Sequence, residues 1–285
     1  MTAKDGAHRI IAALLEARTG QQLSPERAWR VDVALSPVLR DHGLATVGEL
    51  AVRLIARREP VIEQRIVDAL LNNETSFFRD AAAFDALSQV LHARVTARGG
   101  DKRVRIWCAG CSTGQEPYSL AMLMNAPRSA WSGWQVDLVA TDICASAIAQ
   151  ARSGLYSQFE IQRGLGVRNM IAWFEKEGAG WRAIPALRDR VRFRHAALAD
   201  PPPAPGQFDA VLCRNVMLYF GQAMRRQTLD RLADALAPGG LLMLGAGETV
   251  LGLCDRFAPD AATRGLYRLA PGNAASRTGP RAALA

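Results

Sequence analysis

The sequence predicts an α/β protein: a mostly parallel sheet flanked by helices, with a small all-α domain ahead of it and a β-hairpin inserted later. Three observations carry this. Residues 104–120 read as a strand, a turn punctuated by Gly110 and Gly114, and a helix with Pro117 in its first turn. Short apolar runs at 134–143, 208–216 and 241–245 alternate with helical patterns, as a buried parallel sheet requires. Before residue 72 the apolar residues recur at helical spacing.

In chain order, Ile10, Ile11, Leu14 and Leu15 form the first helical face, and Gly20 stops it. Ser24-Pro25-Glu26-Arg27 has the form of an N-cap, an N1 proline and an acidic first turn. Val31, Val33, Leu35, Val38 and Leu39 continue apolar, with Pro37 expected to interrupt. Leu50, Leu54 and Ile55 make a third face, then Ile62, Ile66, Leu70 and Leu71 a fourth. Arg27, Arg30, Arg53, Arg57, Arg58 and Arg65 lie along this bundle, whose total charge is nevertheless near neutral. Such a local basic face is either solvated surface or a docking face. The next stretch, Asn72-Asn-Glu-Thr-Ser-Phe-Phe-Arg-Asp80, is unusual for a linker. Its two phenylalanines could staple the bundle to the next domain, and its polar residues could be caps.

A helix over 82–95 leads to the 104–120 unit. The spacing there is Gly-x-x-x-Gly, not the Gly-x-Gly-x-x-Gly of dinucleotide folds. An acid, Glu116, stands where a phosphate would approach the helix N-terminus. It either complements the helix dipole or welcomes a cationic ligand, and S-adenosylmethionine, with its sulfonium and ammonium, is one. The strand at 134–143 ends in Asp142, placed to accept from both hydroxyls of a ribose or to cap the helix over 145–152. Residues 170–187 read as a hairpin turning at Gly178-Ala179-Gly180. Strands follow at 191–198, at 208–216 and, after an amphipathic helix over 224–236 closed by Pro238-Gly239-Gly240, at 241–245. Phe257 and residues 266–269 suggest a closing antiparallel pair. The resulting division is a helical domain at 1–72, a linker and helix at 73–100, and a catalytic domain at 101–271 with a β subdomain at about 156–190. A disordered tail is expected at 272–285.

Composition narrows the class. With 285 residues and 49% apolar content the chain can bury a sizeable core, and no apolar run is long enough to span a bilayer. The absence of a signal-like N-terminus predicts a cytoplasmic protein, expected as a monomer. Five cysteines scattered over the chain are no disulfide framework. Cys108-x-x-Cys111 is read as small residues filling a tight corner rather than a redox pair, and no metal site is expected. A net charge of +8 suits an acidic partner, but no Lys/Arg block with interleaved aromatics marks a nucleic-acid groove.

Taken together, the strings match a known family. Asn73-Glu-Thr-Ser-Phe-Phe-Arg79, Ser112-Thr-Gly-Gln-Glu-Pro-Tyr-Ser119, Ala140-Thr-Asp-Ile143, Cys213-Arg-Asn-Val-Met-Leu-Tyr-Phe220 and the turn Leu236-Ala-Pro-Gly-Gly240 occur in the right order. The chain resembles the CheR-type chemotaxis receptor methyltransferases, from about residue 70 to 269. The resemblance implies a class I S-adenosylmethionine-dependent methyltransferase fold, Rossmann-like, that methylates receptor glutamates and releases S-adenosylhomocysteine. It implies that Asn73, Thr75, Arg79, Gly110, Glu116, Asp142, Ala197, Leu198, Arg214 and Asn215 bind the cofactor, and that Arg79 and Tyr219 serve the reaction. The implied partner is the cytoplasmic signalling domain of transmembrane chemoreceptors. In some members the β subdomain also binds a receptor C-terminal peptide. Neither nucleic acid nor direct membrane insertion is expected.

Two departures stand out. Many members have Asn-Leu beside the adenine, where this chain has Ala197-Leu198, and Gly-His-Ser-Glu where this chain has Gly245-Ala-Gly-Glu248. No histidine is therefore assigned to catalysis; His8, His42, His92 and His195 are read as surface or satisfied residues. Rival readings are a nicotinamide oxidoreductase, against which the glycine spacing and Glu116 argue, a nucleic-acid methyltransferase, and a catalytically silent S-adenosylmethionine-binding adaptor. A docking face at Arg53, Arg57 and Arg58 is expected to meet the receptor's glutamate-rich helices.

Overall fold

The computed structural model describes residues 3–23 and 30–270. The Ser24–Arg27 cap and the 272–285 tail lie outside the described residues.

Four helices open the chain: α1 (Ala3–Thr19), α2 (Arg30–Asp41), α3 (Val47–Ala56) and α4 (Pro60–Leu70). They pack around Ile11, Val31, Leu35, Val38, Leu50, Ile62 and Ile66. Contrary to expectation, α2 runs through Pro37. A helix-interior proline costs about 3 kcal/mol. Val31, Leu35, Val38 and Leu39 are all buried around it, and burying each such side chain returns roughly 1.5–3 kcal/mol. Packing wins over the proline. Thr46 caps α3 through Glu49 N–H, and Pro60 sits at the start of α4.

The remaining chain folds around a sheet ordered β6-β2-β1-β7-β8-β10-β9. Strands β1 (Arg103–Ala109), β2 (Gln135–Asp142), β6 (Val191–His195), β7 (Phe208–Cys213) and β8 (Leu236–Leu244) are parallel, and β9 (Phe257–Pro259) and β10 (Leu266–Leu269) close the edge antiparallel. Side chains alternate along β1: Ile106 and Cys108 enter one core, Trp107 and Ala109 the other. The first face is covered by α5 (Ala81–Arg98), α6 (Gln115–Met124) and α7 (Ala145–Ser153), the second by α11 (Gln222–Ala235). Pro238-Gly239-Gly240 does not precede β8 but bulges within it, with a register shift against β7 and φ +66° at Gly239.

The inserted segment differs more. Residues 170–173 belong to a helix, α9 (Val167–Trp173), started by Gly166 after α8 (Gln158–Gln162). Only β4 (Phe174–Glu177) and β5 (Gly180–Ala183) form the hairpin, and α10 (Pro185–Arg188) follows it. A third strand, β3 (Leu155–Ser157), pairs with β5 to give the order β3-β5-β4. Met-Ile-Ala-Trp is apolar in either conformation, and Gly166 ahead of it, not periodicity, decides for helix.

Candidate active site

After β1 the chain moves outward to β2 and later β6, then returns on the other side of β1 as β7. The strand order therefore reverses between β1 and β7, and ligands of such sheets sit in the crevice at the carboxyl ends there. A cleft of about 870 Å³, part of it open to solvent, lies at this point. Asn73, Thr75, Arg79, Gly110, Glu116, Asp142, Leu198, Arg214, Asn215 and Tyr219 all line it. Ala197 does not. Its neighbours Ala196 and Leu198 do, while the Ala197 amide donates to the Asp200 carboxylate at 2.8 Å.

The floor is the loop after β1. The Gly110 and Cys111 amides both donate to the Thr141 carbonyl, at 2.8 and 2.9 Å, tying this loop to the end of β2. Gly110 has φ +82°, and a Cβ there would meet Val216 Cγ2 at 2.5 Å, so only glycine fits. Asp142 at the tip of β2 is 9% exposed. Its Oδ2 accepts the Ser112 amide at 2.7 Å and its Oδ1 the Cys144 amide at 2.8 Å. Burial pushes this carboxyl above its usual range, while the backbone donors pull it back. Each oxygen keeps a lone pair for a further donor.

The wall is the segment from Asn73 to Asp80. Asn73 O accepts from Ser112 Oγ at 2.7 Å, and the Phe78 amide donates to Ser119 Oγ at 2.9 Å. Phe77 does not staple the helical bundle, as one reading had it. It is fully buried in the α/β core, edge-on to Tyr156 and Phe174 of the inserted subdomain. Phe78 and Asp80 take left-handed φ values of +47° and +62°. Arg79, half-buried between them, points its charge within reach of Glu116 and Glu74.

Arg214 ties wall to floor. Its side chain is 2% exposed; Nη1 donates to Arg79 O at 3.0 Å and to Glu116 Oε2 at 3.1 Å, and Nη2 donates to Asp80. Its buried Nε has no hydrogen-bond partner among the described residues. Burial raises the Glu116 carboxyl, and Arg214 opposes that shift. Tyr219 ends the short turn Met217–Tyr219 after β7; its hydroxyl accepts from Asn72 Nδ2 at 2.8 Å, and its carbonyl accepts the Gln22 amide at 2.8 Å. Gln21 forms a bridge with Phe220, so the end of α1 completes the cleft.

Sequence reasoning missed Asn72, Asp80, Ser112, Gln21 and Gln22. Asn72 and Asp80 flank the Asn73–Arg79 string and Ser112 opens another; Asn72 acts through its side chain on Tyr219, whereas Gln21 and Gln22 meet the cleft through backbone groups and carry no signal of their own. Cys108 and Cys111 are buried in the sheet core, where burial pushes both thiols far up, as packing residues require. His195 is satisfied by the Ile143 carbonyl at 2.8 Å. No described helix is long and apolar enough to cross a membrane.

Comparison with known proteins agrees with this geometry. Residues 73–266 match the family described as CheR methyltransferase, SAM binding domain. The chain is 37% identical over 262 residues to chemotaxis protein methyltransferase 1 of Pseudomonas aeruginosa, covering 90% of this chain and 95% of that one. It is 35% identical to the chemotaxis protein methyltransferase of Vibrio parahaemolyticus, over 90% of this chain and 94% of that one. To that of Escherichia coli K12 it is 34% identical, over 89% and 87% respectively. A cleft at the switch point of a seven-stranded sheet, carrying these strings and matched over these lengths, leads to one conclusion: the chain belongs to the CheR methyltransferase family and is an S-adenosylmethionine-dependent methyltransferase.

Proposed function

We propose that the protein transfers methyl groups from S-adenosylmethionine to glutamate side-chain carboxylates of chemoreceptors, forming methyl esters in the cytoplasm. One observation carries this: a single cleft combines Glu116 and Asp142, suited to a cationic, ribose-bearing donor, with Arg79 and Tyr219, suited to an anionic acceptor. The relatives' role in chemotaxis supplies the receptor.

The residues present fit the donor. The cleft is concave, with apolar side chains such as Leu71, Ile143 and Leu198 beside a few converging polar groups, as small-molecule sites are. Asp142 would hold the ribose hydroxyls, and Leu198 would pack against the adenine. Glu116 would meet the ammonium, whose positive charge favours the ionised form that burial penalises. The orphaned Arg214 Nε is a buried donor awaiting an acceptor. Gly110, Asn73, Thr75 and Asn215 would supply the surrounding polar contacts. When bound, the cofactor supplies a methyl group activated by the sulfonium.

The acceptor glutamate, with an ordinary pKa of ~4.3, is already ionised at neutral pH, so the protein need not deprotonate it. The protein's task is to strip water from the carboxylate and orient it. Arg79 pairs with a carboxylate through a planar fork, and Tyr219, held by Asn72, adds a hydrogen bond without competing charge. Tyr219→Phe is expected to slow methyl transfer by up to about tenfold, the worth of one hydrogen bond, while S-adenosylhomocysteine affinity stays near wild type. Calorimetry beside single-turnover rates checks this; equal loss in both would move Tyr219 to the donor site.

Docking falls to the bundle, with one correction. Arg53 is not available, because its Nε and Nη2 each bond the Glu59 carboxylate at 2.7 Å. Arg18 and Arg65 are likewise paired, with Glu63 and Asp41. Arg57 and Arg58 remain exposed beside Val52 and Ile55, themselves 68% and 71% exposed. Reversing Arg57 and Arg58 to Glu is expected to raise the receptor KM several-fold at low salt. The effect should fade near 0.1 M, where the screening length is about 10 Å. Unchanged methylation at low salt would remove this face from docking. The free edge of β4 is the place for an extended receptor tail to add as a strand.

The test of the function itself is transfer of labelled methyl to receptor-bearing membranes. Alkali-labile label on the receptor is expected. Alkali-stable label, or label on nucleic acid, would overturn it.

A further inference from the structure

Glu248 lies outside every role assigned above. Its Oε2 accepts the amides of Asn215 at 2.7 Å and Gly245 at 2.8 Å, and its Oε1 those of Val216 at 3.0 Å and Met217 at 2.8 Å. Three of these donors are consecutive. They converge because Asn215 is left-handed, with φ +61°, and Val216 right-handed, with φ −110° and ψ −50°. That alternation turns successive N–H groups to one side and forms an anion-binding concavity. Such a nest commonly takes a phosphate. Here a side chain from the loop after β8 fills it.

The nest sits between the two side chains on which the cleft depends. Arg214 leaves the chain just before it, toward Glu116, Asp80 and Arg79 O; Tyr219 leaves just after it, toward Asn72. Val216, inside the nest, occupies the space that a Cβ on Gly110 would need. The end of β8 is pressed equally close: a Cβ on Gly245 would meet Asn215 Nδ2, Asn215 N and Glu248 Oε2 at 2.8–2.9 Å. Glu248 itself does not line the cleft. It borders a separate hollow with Met217, Leu218 and Arg225.

We infer that Glu248 is a positioning residue for methyl transfer, a built-in anion that locks the turn after β7 and thereby sets Arg214 and Tyr219 in the cleft. The inference rests on the reading of the cleft as the site of methyl transfer. The carboxylate, not merely its volume, is what the nest requires. Four converging N–H donors call for two oxygens, and an amide in that place turns an NH2 group toward two of them.

The test is E248Q in the full chain, followed by hydrogen exchange, S-adenosylhomocysteine titration and steady-state kinetics. The amides of residues 215–217 should exchange about tenfold faster or more. S-adenosylhomocysteine affinity and kcat should both fall by about tenfold, with the receptor KM unchanged. E248D, which keeps the charge on a shorter arm, should recover part of each. E248Q that exchanges faster yet binds and turns over like wild type would overturn the inference and leave the methyltransferase reading intact. Wild-type protein that fails to bind S-adenosylhomocysteine would overturn both. If E248Q does not fold, the unaltered protein still decides, because coupling is reciprocal: S-adenosylhomocysteine must slow exchange at 215–217. No change there overturns the inference.

Discussion

Asp142→Ala is expected to lose about 2–4 kcal/mol of S-adenosylmethionine affinity, a factor of roughly 30 to 1,000. The size follows from what the carboxylate offers. Both oxygens are fixed by backbone donors, Ser112 N and Cys144 N, so the remaining lone pairs are aimed before any ligand arrives. Little orienting entropy is left to lose on binding. The side chain is nearly buried, so water screens the contact poorly. The mutation also orphans two amides and should lower the melting temperature somewhat. Calorimetry on the folded variant separates the effects. Lower stability with unchanged affinity would show that Asp142 serves only the loop. NADH should not bind measurably.

Phe77→Ala is expected to cost about 3–5 kcal/mol of stability, the usual range for a fully buried phenylalanine. Its ring is 5.1 Å from that of Tyr156 and 5.5 Å from that of Phe174, both edge-on. Tyr156 in turn donates its hydroxyl to Thr113 O at 2.7 Å, inside the loop after β1. The cavity would therefore loosen the inserted subdomain and the cleft floor together. At about 2–4 °C per kcal/mol for a domain of this size, the melting temperature should fall by roughly 6–20 °C. Phe78→Ala should lose clearly less, since Phe78 is only half-buried and its ring stands 6.2 Å from that of Phe84. Equal losses from the two would refute this account of the pair.

Nothing in the sequence told these neighbours apart. Two adjacent aromatics have the same propensity, and only the left-handed backbone at Phe78 sends their rings to different places. The sheet was easier to read. Its central strands are apolar on both faces, and the glycine turn and terminal acid mark where β1 and β2 end. Local pattern failed where packing decided, as at Pro37, whose helix is held by its buried neighbours. Asp142 and Glu116 were legible as cleft residues because a strand-end acid and a helix-start acid have fixed places in such folds. Asn72 was not, because its partner, Tyr219, lies 147 residues away.

The seam between Gln21-Gln22 and Tyr219-Phe220 sets a limit on modularity. The family match begins at residue 73, yet Thr19, Gln21, Leu71 and Asn72 precede it and still form part of the cleft wall. A fragment starting at 73 should keep the strand ends that face the donor while losing the flank that seats the Tyr219 carbonyl and hydroxyl. During synthesis Gln21 emerges well before Phe220, the residue it must meet. The entropic penalty of so long a closure grows only logarithmically with length, so the delay is chiefly one of time. This flank of the cleft therefore cannot close until the turn after β7 has been made, long after the first strand of the sheet.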